Sequence, residues 1–465
     1  MRLLLPLALA LSACAPTGQL FLHVDTDAPV PPTPGVRVDP ARPRALFDQL
    51  RIEILRDGAP ALDRGARDFG VDEGMFQDGR VSIGIAPAVG DAGLSARVRL
   101  FRGDRVVAGE PPARITLERD VALPALGATD VVHLTVRLHV DDIGQPQSGD
   151  PDPGEPGPSE VGQWSGAQPV PCATAAGADE ACVVGGAFYM GDPALGELGG
   201  GTDADQERLV VVSPFFIDLR PRTAGQFRTQ ARGGKLGFSG DYLEWSGDQD
   251  PTKTEAWCTI ANGPSAGDPD DSRTRLPVNC ISYDTGRILC LSYDRDLPTE
   301  AQFEFIASGR GAEWGYVWGN DEPDCASAVW GRGGVGVHIF YPDTCRPPDT
   351  IGGLLPSGSA LLDRVTLIDP VSGESREVVD LAGNVGTWAL DQWSRQDEAY
   401  WSQPGVFHDP LADLESPADG DAHSERGGGF YLPTAPLRAA FRQNLFGTNA
   451  DPSAGVRCAR PGAPK

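Results

Sequence analysis

The sequence predicts two domains: an all-β, sandwich-like domain at residues 19–140 and a loop-rich domain with short helices at residues 169–465. Three observations support this prediction. The chain has 465 residues, whereas single hydrophobic cores stop growing at about 250–300 residues. Apolar and polar residues alternate with period two in the first domain, as they do in strands. An acidic, proline-rich segment at residues 141–168 separates the two domains.

The first 14 residues have the layout of a secretory signal peptide. Arg2 precedes an apolar run from Leu3 to Leu11, which is too short to span a bilayer. The run ends in Leu-Ser-Ala-Cys, which resembles a bacterial lipobox and predicts that Cys14 is lipidated. The alternative is a signal peptide cleaved near the same place without a lipid. An Asp after the cysteine would favour the inner membrane, but Ala15 stands there. We therefore expect an exported protein that is anchored in the outer membrane by its lipid.

Alternation of apolar and polar residues supports the strands of the first domain. The clearest apolar series is Val132, Leu134, Val136, Leu138 and Val140. Such alternation places one face of a strand on a core and the other in water. His133 and His139 lie on the same face of this strand. We interpret them as solvent-facing residues and not as metal ligands, because the neighbouring sequence offers no third ligand.

The segment at residues 141–168 predicts a linker. It contains five prolines from Pro146 to Pro158, several carboxylates and almost nothing apolar. A segment of this composition cannot bury enough surface to offset the entropy of ordering it. Prolines and repelling charges favour an extended chain, so we expect the linker to hold the two domains apart.

In the second domain, residues 284–291 predict a short helix with an apolar side. Thr299 predicts the start of another helix, because Gln302 follows it at capping-box spacing. Eight cysteines remain besides Cys14, an even number that favours disulfides in an exported chain. Sequence alone does not give their connectivity. The spacing offers three local pairs: Cys172 with Cys182, Cys258 with Cys280, and Cys325 with Cys345.

The formal net charge of −26 comes from 65 acidic and 39 basic residues. Affinity for nucleic acid depends on cationic side chains that neutralise phosphates, so this balance excludes a nucleic-acid partner. It is typical of a solvated protein surface.

Five segments of the second domain occur in an order that identifies a family. They are Gly-Gly-Ala-Phe-Tyr-Met-Gly at 185–191, Leu-Pro-Thr-Glu-Ala-Gln-Phe-Glu-Phe at 297–305, Gly-Asn-Val-Gly-Thr-Trp at 383–388, Ser-Glu-Arg-Gly-Gly-Gly-Phe-Tyr-Leu at 424–432 and Gly-Val-Arg-Cys-Ala at 455–459. Together they resemble the sulfatase-modifying-factor family, whose founders are the formylglycine-generating enzymes. The resemblance covers roughly residues 183–460 and implies an α+β domain with a variant of the C-type-lectin-like fold. It also implies that Cys290 pairs with Cys458, which leaves no thiol for catalysis.

The resemblance also implies an active site whose reactive atoms are missing. Family members usually carry a Ser and two copper-binding cysteines where this chain has Gly429, Leu432 and Leu437. Cuprous copper prefers thiolate ligands, and leucine has no lone pair to offer. We therefore expect no copper and no formylglycine-generating activity, as in a pseudoenzyme. The alternative is a metal-dependent oxidase or oxygenase with an altered site, as in the iron enzymes of the superfamily. The histidines that it would need are scattered along the second domain: His338, His408 and His423.

A weakened calcium site is the remaining cofactor that the resemblance implies. The family usually reads Gly-Asn-Val-Trp-Glu-Trp at 383–388, but here Gly386 and Thr387 replace the Trp and the Glu. Calcium favours several oxygen ligands including carboxylates, so loss of the Glu weakens the site. Asn384 and Asp391 are the oxygen donors left nearby. Val329 replaces the Asn that begins the other family calcium site, which we do not expect here.

Arginine and aromatic residues around the expected cleft suggest a binding surface for an envelope ligand or protein. The candidate ligand-binding residues are Arg426, Tyr431, Arg438 and Arg442. Aromatic rings and guanidinium groups are enriched at recognition surfaces. In the alternative interpretation, these side chains belong to the ordinary core of a loop-rich domain. The sequence thus favours a non-catalytic ligand-binding or structural module.

Overall fold

The computed structural model describes residues 18–39, 42–61, 66–197, 203–234, 236, 254–260, 272–333, 344–346, 353–415 and 420–463. The signal segment with Cys14 and the loop residue His338 lie outside these residues. The chain divides into two compact units: the first runs to Trp164 and the second begins at Ser165, except that residues 39–44 belong to the second.

Strands dominate the first unit. Its described elements are β1 (Gln19–Thr26), β2 (Gln49–Arg56), β3 (Ala59–Pro60), β4 (Ala66–Gly70), α1 (Glu73–Gln77), β5 (Ser82–Ile85), β6 (Leu94–Phe101), β7 (Leu117–Ala122), β8 (Val131–Leu138), β9 (Gln147–Gly149) and β10 (Asp152–Pro153). One sheet has the strand order β10-β8-β1-β5 and the other β3-β2-β6-β7-β9, with β4 also paired to β2. These two sheets confirm the all-β prediction.

The predicted alternation places apolar residues in the core of the first unit. Val136 and Val140 are fully buried, and Leu134 and Leu138 are buried beside them. The interpretation of His133 as a solvent-facing residue is wrong, because its ring is half-buried and stacks on His23. His139 is half-buried, with its side chain 44% exposed, and its Nδ1 lies 3.5 Å from a carboxylate oxygen of Asp27.

The predicted linker is corrected by the structure, because residues up to Trp164 belong to the first unit. β9 pairs in parallel with β7, and β10 pairs with β8 in antiparallel register. Trp164 is buried and its indole N–H donates to a carboxylate oxygen of Asp141 at 2.9 Å. The composition of this segment alone would leave it extended. It is ordered because its backbone pairs with β7 and β8 and because Trp164 anchors its end.

The second unit combines short helices and small sheets. Its described elements are β11 (Glu180–Val183), β12 (Gly186–Met190), α2 (Ala194–Glu197), β13 (Arg208–Val212), β14 (Phe215–Asp218), α3 (Ala224–Arg232), α4 (Tyr283–Leu291), α5 (Glu300–Ala307), β15 (Arg364–Ile368), β16 (Ser375–Val379), β17 (Gly386–Gln392), β18 (Phe407–His408), β19 (Ala422–Arg426), β20 (Arg442–Phe446), β21 (Ala454–Gly455) and β22 (Ala459–Pro461). The sheets have the orders β11-β14-β22, β12-β13-β18, β15-β16 and β20-β19-β17-β21. None of the helices described here is long and apolar enough to cross a membrane.

Both helices predicted in the second unit are present. α4 begins one residue before the predicted start, and Ser282 caps it by accepting from the backbone N–H of Thr285. α5 follows a capping box in which Thr299 and Gln302 exchange side-chain and backbone hydrogen bonds. The apolar face of α5 carries Phe303, which is buried in the main core of the unit.

Four disulfides tie the loops of the second unit together, and all four predicted pairs are confirmed. They join Cys172 to Cys182, Cys258 to Cys280, Cys290 to Cys458 and Cys325 to Cys345. The Cys290–Cys458 bridge spans 168 residues and connects the last turn of α4 to the segment before β22. The eight cysteines from Cys172 onward are therefore all oxidised.

Candidate functional site

The site that corresponds to the family's reactive segment lies after β19, the strand between β17 and β20. The chain leaves β19 through two glycines in the left-handed region, Gly427 at φ 92° and Gly428 at φ 68°. A Cβ on Gly429 would lie 2.6 Å from the Cβ of Ser453, so the neighbouring serine fills the space that a side chain would need. The close approach of Ser453 thus leaves no room for a serine side chain at position 429.

Leu432 and Leu437, which the family resemblance aligns with the two cysteine positions, are both buried. Leu432 packs in an apolar cluster with Trp257 and Phe430. Leu437 belongs to the main core of the unit, in a different cluster. The residues present do not fit a copper ion, because neither leucine offers a ligand atom and the eight described cysteines form disulfides.

Behind β19 lies a buried network of charges centred on Glu300, the first residue of α5. Its carboxylate accepts hydrogen bonds from Ser424 at 2.8 Å and from Arg426 at 3.2 Å. Arg442 on β20 donates to both of its oxygens, at 2.6 and 2.7 Å. Arg426 also pairs with Glu304 one turn further along α5. The network therefore joins α5 to β19 and β20.

Opposing effects determine the charge of Glu300. Complete burial would keep the carboxyl protonated, but the attraction of Arg442, the hydrogen bonds and the nearby Arg426 outweigh it and lower the pKa of Glu300 to about 2. Glu300 is thus an anion at neutral pH. The prediction that Arg426 and Arg442 bind a ligand is corrected by this geometry, because their side chains are at most 1% exposed and serve an internal ion-pair network.

Tyr431 and Arg438 differ in how far solvent reaches them. Tyr431 is buried, and its hydroxyl donates to a carboxylate oxygen of Asp451 at 2.9 Å. Arg438 is 16% exposed at its side chain and donates from Nε to Asp192 at 2.8 Å, with its guanidinium over the ring of Tyr316. Of the four candidate ligand-binding residues, only Arg438 is not fully buried.

A second buried carboxyl, Glu425, lies on the opposite side of β19 from the Glu300 network. Burial, together with the charge of Asp451, raises the pKa of Glu425 to about 8, against the opposing effect of the Ser453 hydroxyl. A Cβ on Gly386 would lie 1.9 Å from a carboxylate oxygen of Glu425. The space where the family usually has a Trp side chain is therefore occupied by the Glu425 carboxyl.

Asn384 and Asp391, the weak calcium candidates, are held by separate sets of partners in the described structure. The side-chain oxygen of Asn384 accepts from the backbone N–H of Leu355 at 3.0 Å. Both oxygens of Asp391 accept backbone hydrogen bonds, from Glu300 and Ala412. Burial and the neighbouring Glu300 raise the pKa of Asp391 to about 7. These two side chains do not fit a common calcium site.

The described histidines of the second unit do not form a metal site. His408 ends the short strand β18 and is exposed. His423 is buried and stacks on the ring of Tyr283. Among the described residues, the only group of at least three His, Cys, Asp or Glu side chains placed to hold a metal lies in the first unit.

Sequence reasoning missed Glu300, Glu304 and Glu425 as the organising groups of the site. Glu300 and Glu304 lie in the motif at 297–305, and Glu425 lies in the motif at 424–432. A buried role for Glu300 could have been suspected from the two arginines in the later motifs, which need anions when buried. Nothing in the sequence indicates that Gly386 makes room for Glu425.

These features define a loop-rich α+β domain in which the segment after β19 is packed with core residues. The model of the sulfatase-modifying factor enzyme 1-like domain matches residues 167–461, and the chain belongs to this family.

Relatives of this chain include two mammalian proteins named inactive C-alpha-formylglycine-generating enzyme 2. The chain is 26% identical to the one from Bos taurus over 243 residues, which cover 46% of this chain and 71% of the bovine protein. It is 28% identical to the one from Mus musculus over 198 residues, which cover 37% and 62%. Among solved structures, PvdO from Pseudomonas aeruginosa is 21% identical with a TM-score of 0.40, covering 61% of this chain and 94% of PvdO. CarF is 15% identical with a TM-score of 0.34, covering 61% and 98%.

Proposed function

We propose that the protein is a lipid-anchored lipoprotein of the cell envelope whose second unit is a non-catalytic module. One observation carries the non-catalytic role: Leu432 and Leu437 pack in two apolar clusters where family members place the two copper-binding cysteines. The similarity to two proteins named inactive enzymes supports the same proposal. The closed Glu300 network supports a structural role for the arginines around the segment.

A direct test incubates the purified protein with reduced copper, oxygen and a peptide containing Cys-x-Pro-x-Arg. We expect no aldehyde above the level without protein, whereas a competent formylglycine-generating enzyme run beside it produces aldehyde. The double substitution Leu432→Cys/Leu437→Cys provides a further comparison. We expect it to remain inactive, because Gly429 has no room for a serine and the two leucines lie in different clusters. Aldehyde from the wild type would overturn the proposal.

The lipid anchor is proposed from the run that ends in Leu-Ser-Ala-Cys. Replacing Cys14 with Ser should move the protein from the membrane fraction to the soluble fraction of the envelope. Mass spectrometry of the wild type should find acyl chains on Cys14. A C14S variant that still fractionates with membranes, together with a wild type without acyl chains, would contradict the anchor.

A ligand-binding role is a second candidate, favoured by the surface of the loop at residues 314–318. Trp314 is 40% exposed, and Tyr316 and Trp318 stack with ring centroids 5.1 Å apart. The guanidinium carbon of Arg438 lies 5.2 Å from the ring centroid of Tyr316. If an envelope polymer binds here, purified peptidoglycan or lipopolysaccharide should change the tryptophan fluorescence of the wild type but not that of Trp314→Ala. An unchanged wild-type signal with both probes would remove support for this candidate and leave the structural role.

A further inference from the structure

Two histidines of the first unit lie side by side on neighbouring strands. His23 on β1 and His133 on β8 belong to strands that pair in parallel, with Phe21 opposite His133. The two imidazole rings are inclined by 15°, with centroids 5.3 Å apart. The Nε2 of His23 and the Nδ1 of His133 are 3.0 Å apart. The β1–β8 pairing therefore brings together two nitrogen donors that are 110 residues apart in the sequence.

A carboxylate approaches the same point from the segment after β10. Glu155 has an oxygen 3.4 Å from the Nδ1 of His133. Its neighbour Gly154 donates its backbone N–H to the carbonyl of His133 at 2.8 Å and accepts from the hydroxyl of Thr135 at 2.9 Å. These two bonds fix the backbone next to Glu155, so the Glu155 side chain starts from a fixed point beside His133.

The two separations that involve the Nδ1 of His133 match those of a metal site. The three ligand atoms all lie within 4.8 Å of one another. With zinc–nitrogen bonds of about 2.0–2.1 Å, tetrahedral geometry separates two ligand atoms by about 3.3 Å. The measured separations of 3.0 and 3.4 Å lie on either side of this value. The side chain of Glu155 is 70% exposed, so solvent reaches this side of the cluster.

We propose that His23, His133 and Glu155 bind a divalent transition metal of the zinc class and leave one coordination position open to water. Two imidazoles and one carboxylate are a ligand set of zinc sites with a fourth, exchangeable position. The same three ligands also occur in iron sites, so ligand type alone does not fix the metal. The metal would connect β1, β8 and the segment after β10 and thereby stabilise the edge of this sheet.

The protons of the histidine pair can be accounted for. Without a metal, one imidazole N–H lies between His23 Nε2 and His133 Nδ1 and is shared as a hydrogen bond. When both nitrogens bind the metal, each neutral ring carries its proton on the other nitrogen. The Nδ1 of His23 is buried and has no hydrogen-bond partner among the described residues, so no donor blocks it from taking the proton. A metal-bound histidine usually donates to a fixed acceptor, and because this one lacks such an acceptor, we expect a lower affinity than in fully supported sites.

His139, on the same face of the same sequence stretch, pairs with Asp27 and is not part of the cluster. It therefore provides a matched control.

The experiment titrates the full chain with Zn²⁺ by calorimetry and with Co²⁺ by visible absorption. A Cys14→Ser background prevents a free thiol at position 14 from competing, and prior treatment with a chelator removes metal. We expect one equivalent of metal per chain, with Co²⁺ giving the intense absorption of a four- or five-coordinate site. His23→Gln, His133→Gln and Glu155→Gln should each weaken binding roughly tenfold or more, in line with the loss that even supporting groups cause at metal sites. His139→Gln should bind like the parent.

Several outcomes would overturn the site. Absence of binding at micromolar metal would do so, and so would parental affinity in His23→Gln. An equal loss in His139→Gln would show that binding is unspecific. If the histidine variants fail to fold by circular dichroism, Glu155→Gln decides, because its exposed side chain tolerates substitution. Unchanged affinity in that variant would contradict the proposal.

Discussion

Glu300 carries the charged interior of the second unit, because three donors converge on one completely buried carboxylate. Bringing charges out of water is expensive, and the attraction between them compensates only when geometry and hydrogen bonds are good. Here Arg442 contacts Glu300 through two nitrogens and lies with its guanidinium 4.6 Å from the ring centroid of Trp393. The cluster thus stabilises the position of α5 against β19 and β20.

Replacing Glu300 with Gln should lower the free energy of unfolding by about 3–5 kcal/mol, because it leaves Arg442 and Arg426 buried with one anion fewer. Denaturant unfolding measures this loss. Glu374→Gln is the matched control, since Glu374 is 62% exposed in its pair with Arg376. Such a surface pair contributes at most about 1 kcal/mol. If both variants lost equal stability, the internal role of Glu300 would be wrong.

Glu425 should make the protein less stable as the pH rises. Its folded pKa is raised to about 8, whereas an unfolded Glu titrates near about 4.3. Between these values the folded state holds more protons than the unfolded state, so stability falls with increasing pH. The free energy of unfolding of the wild type, minus that of Glu425→Gln, should decrease by on the order of a few kcal/mol from about pH 5 to about pH 8.

The comparison with Glu425→Gln removes the contribution of other buried acids. Asp363, whose pKa burial and Asp380 raise to about 8, titrates in both proteins and cancels. A flat difference across this pH range would contradict the buried, protonated state of Glu425.

Which residues could be assigned from the sequence depended on whether their partners are local. Gly429, Leu432 and Leu437 lie within one contiguous stretch, so the local motif is enough to align them with the family's reactive positions as a prediction. The prediction that Arg426 binds a ligand was wrong, because the carboxylates with which it pairs lie more than 120 residues earlier in the chain. Distant ion pairs leave no local pattern from which burial could be inferred.

The contact between β17 and β19 explains why this chain has a glycine at position 386. Thr387 pairs with Arg426 and Trp388 with Glu425, so the start of β17 runs beside the reactive segment. A methyl group on Gly386 would lie 1.9 Å from the Glu425 carboxylate. The two residues therefore form one packing unit.

Gly386→Ala should destabilise the protein by about 1–3 kcal/mol, the usual cost of overpacking. Glu425→Ala in the same chain should recover most of that loss, which gives a measurable coupling energy between the two sites. Gly186→Ala is the control, because its Cβ would make only an ordinary contact, 3.8 Å from Phe305. Additive effects of Gly386→Ala and Glu425→Ala would contradict the shared space.

Among the secondary elements, helices with local caps were predicted and edge strands were not. The capping box of α5 is readable because Thr299 and Gln302 are three residues apart. β9 and β10 were hidden in an acidic, proline-rich segment, since their order depends on β7 and β8. Arg137 on β8 pairs with Asp152 on β10, so one of the acidic charges that suggested repulsion meets a cation.

Taken across the chain, the two units depend on different sources of order. The first unit has continuous strands with alternating apolar residues, and all eight described cysteines lie outside it. The second unit has short elements separated by loops and contains four disulfides. Cross-links restrict the unfolded chain, so they have the largest effect where regular structure is sparse.

Removing the long-range disulfide should therefore cost more than removing a local one. In a chain-entropy model, a loop of 168 residues, as closed by Cys290 and Cys458, corresponds to about 5 kcal/mol. A loop of 10 residues, as closed by Cys172 and Cys182, corresponds to about 3 kcal/mol. We expect the double Ala variant at Cys290 and Cys458 to unfold at a lower guanidinium concentration than the double Ala variant at Cys172 and Cys182. The reverse order would show that packing around Cys172 and Cys182, which are buried with Phe216, contributes more than loop closure does.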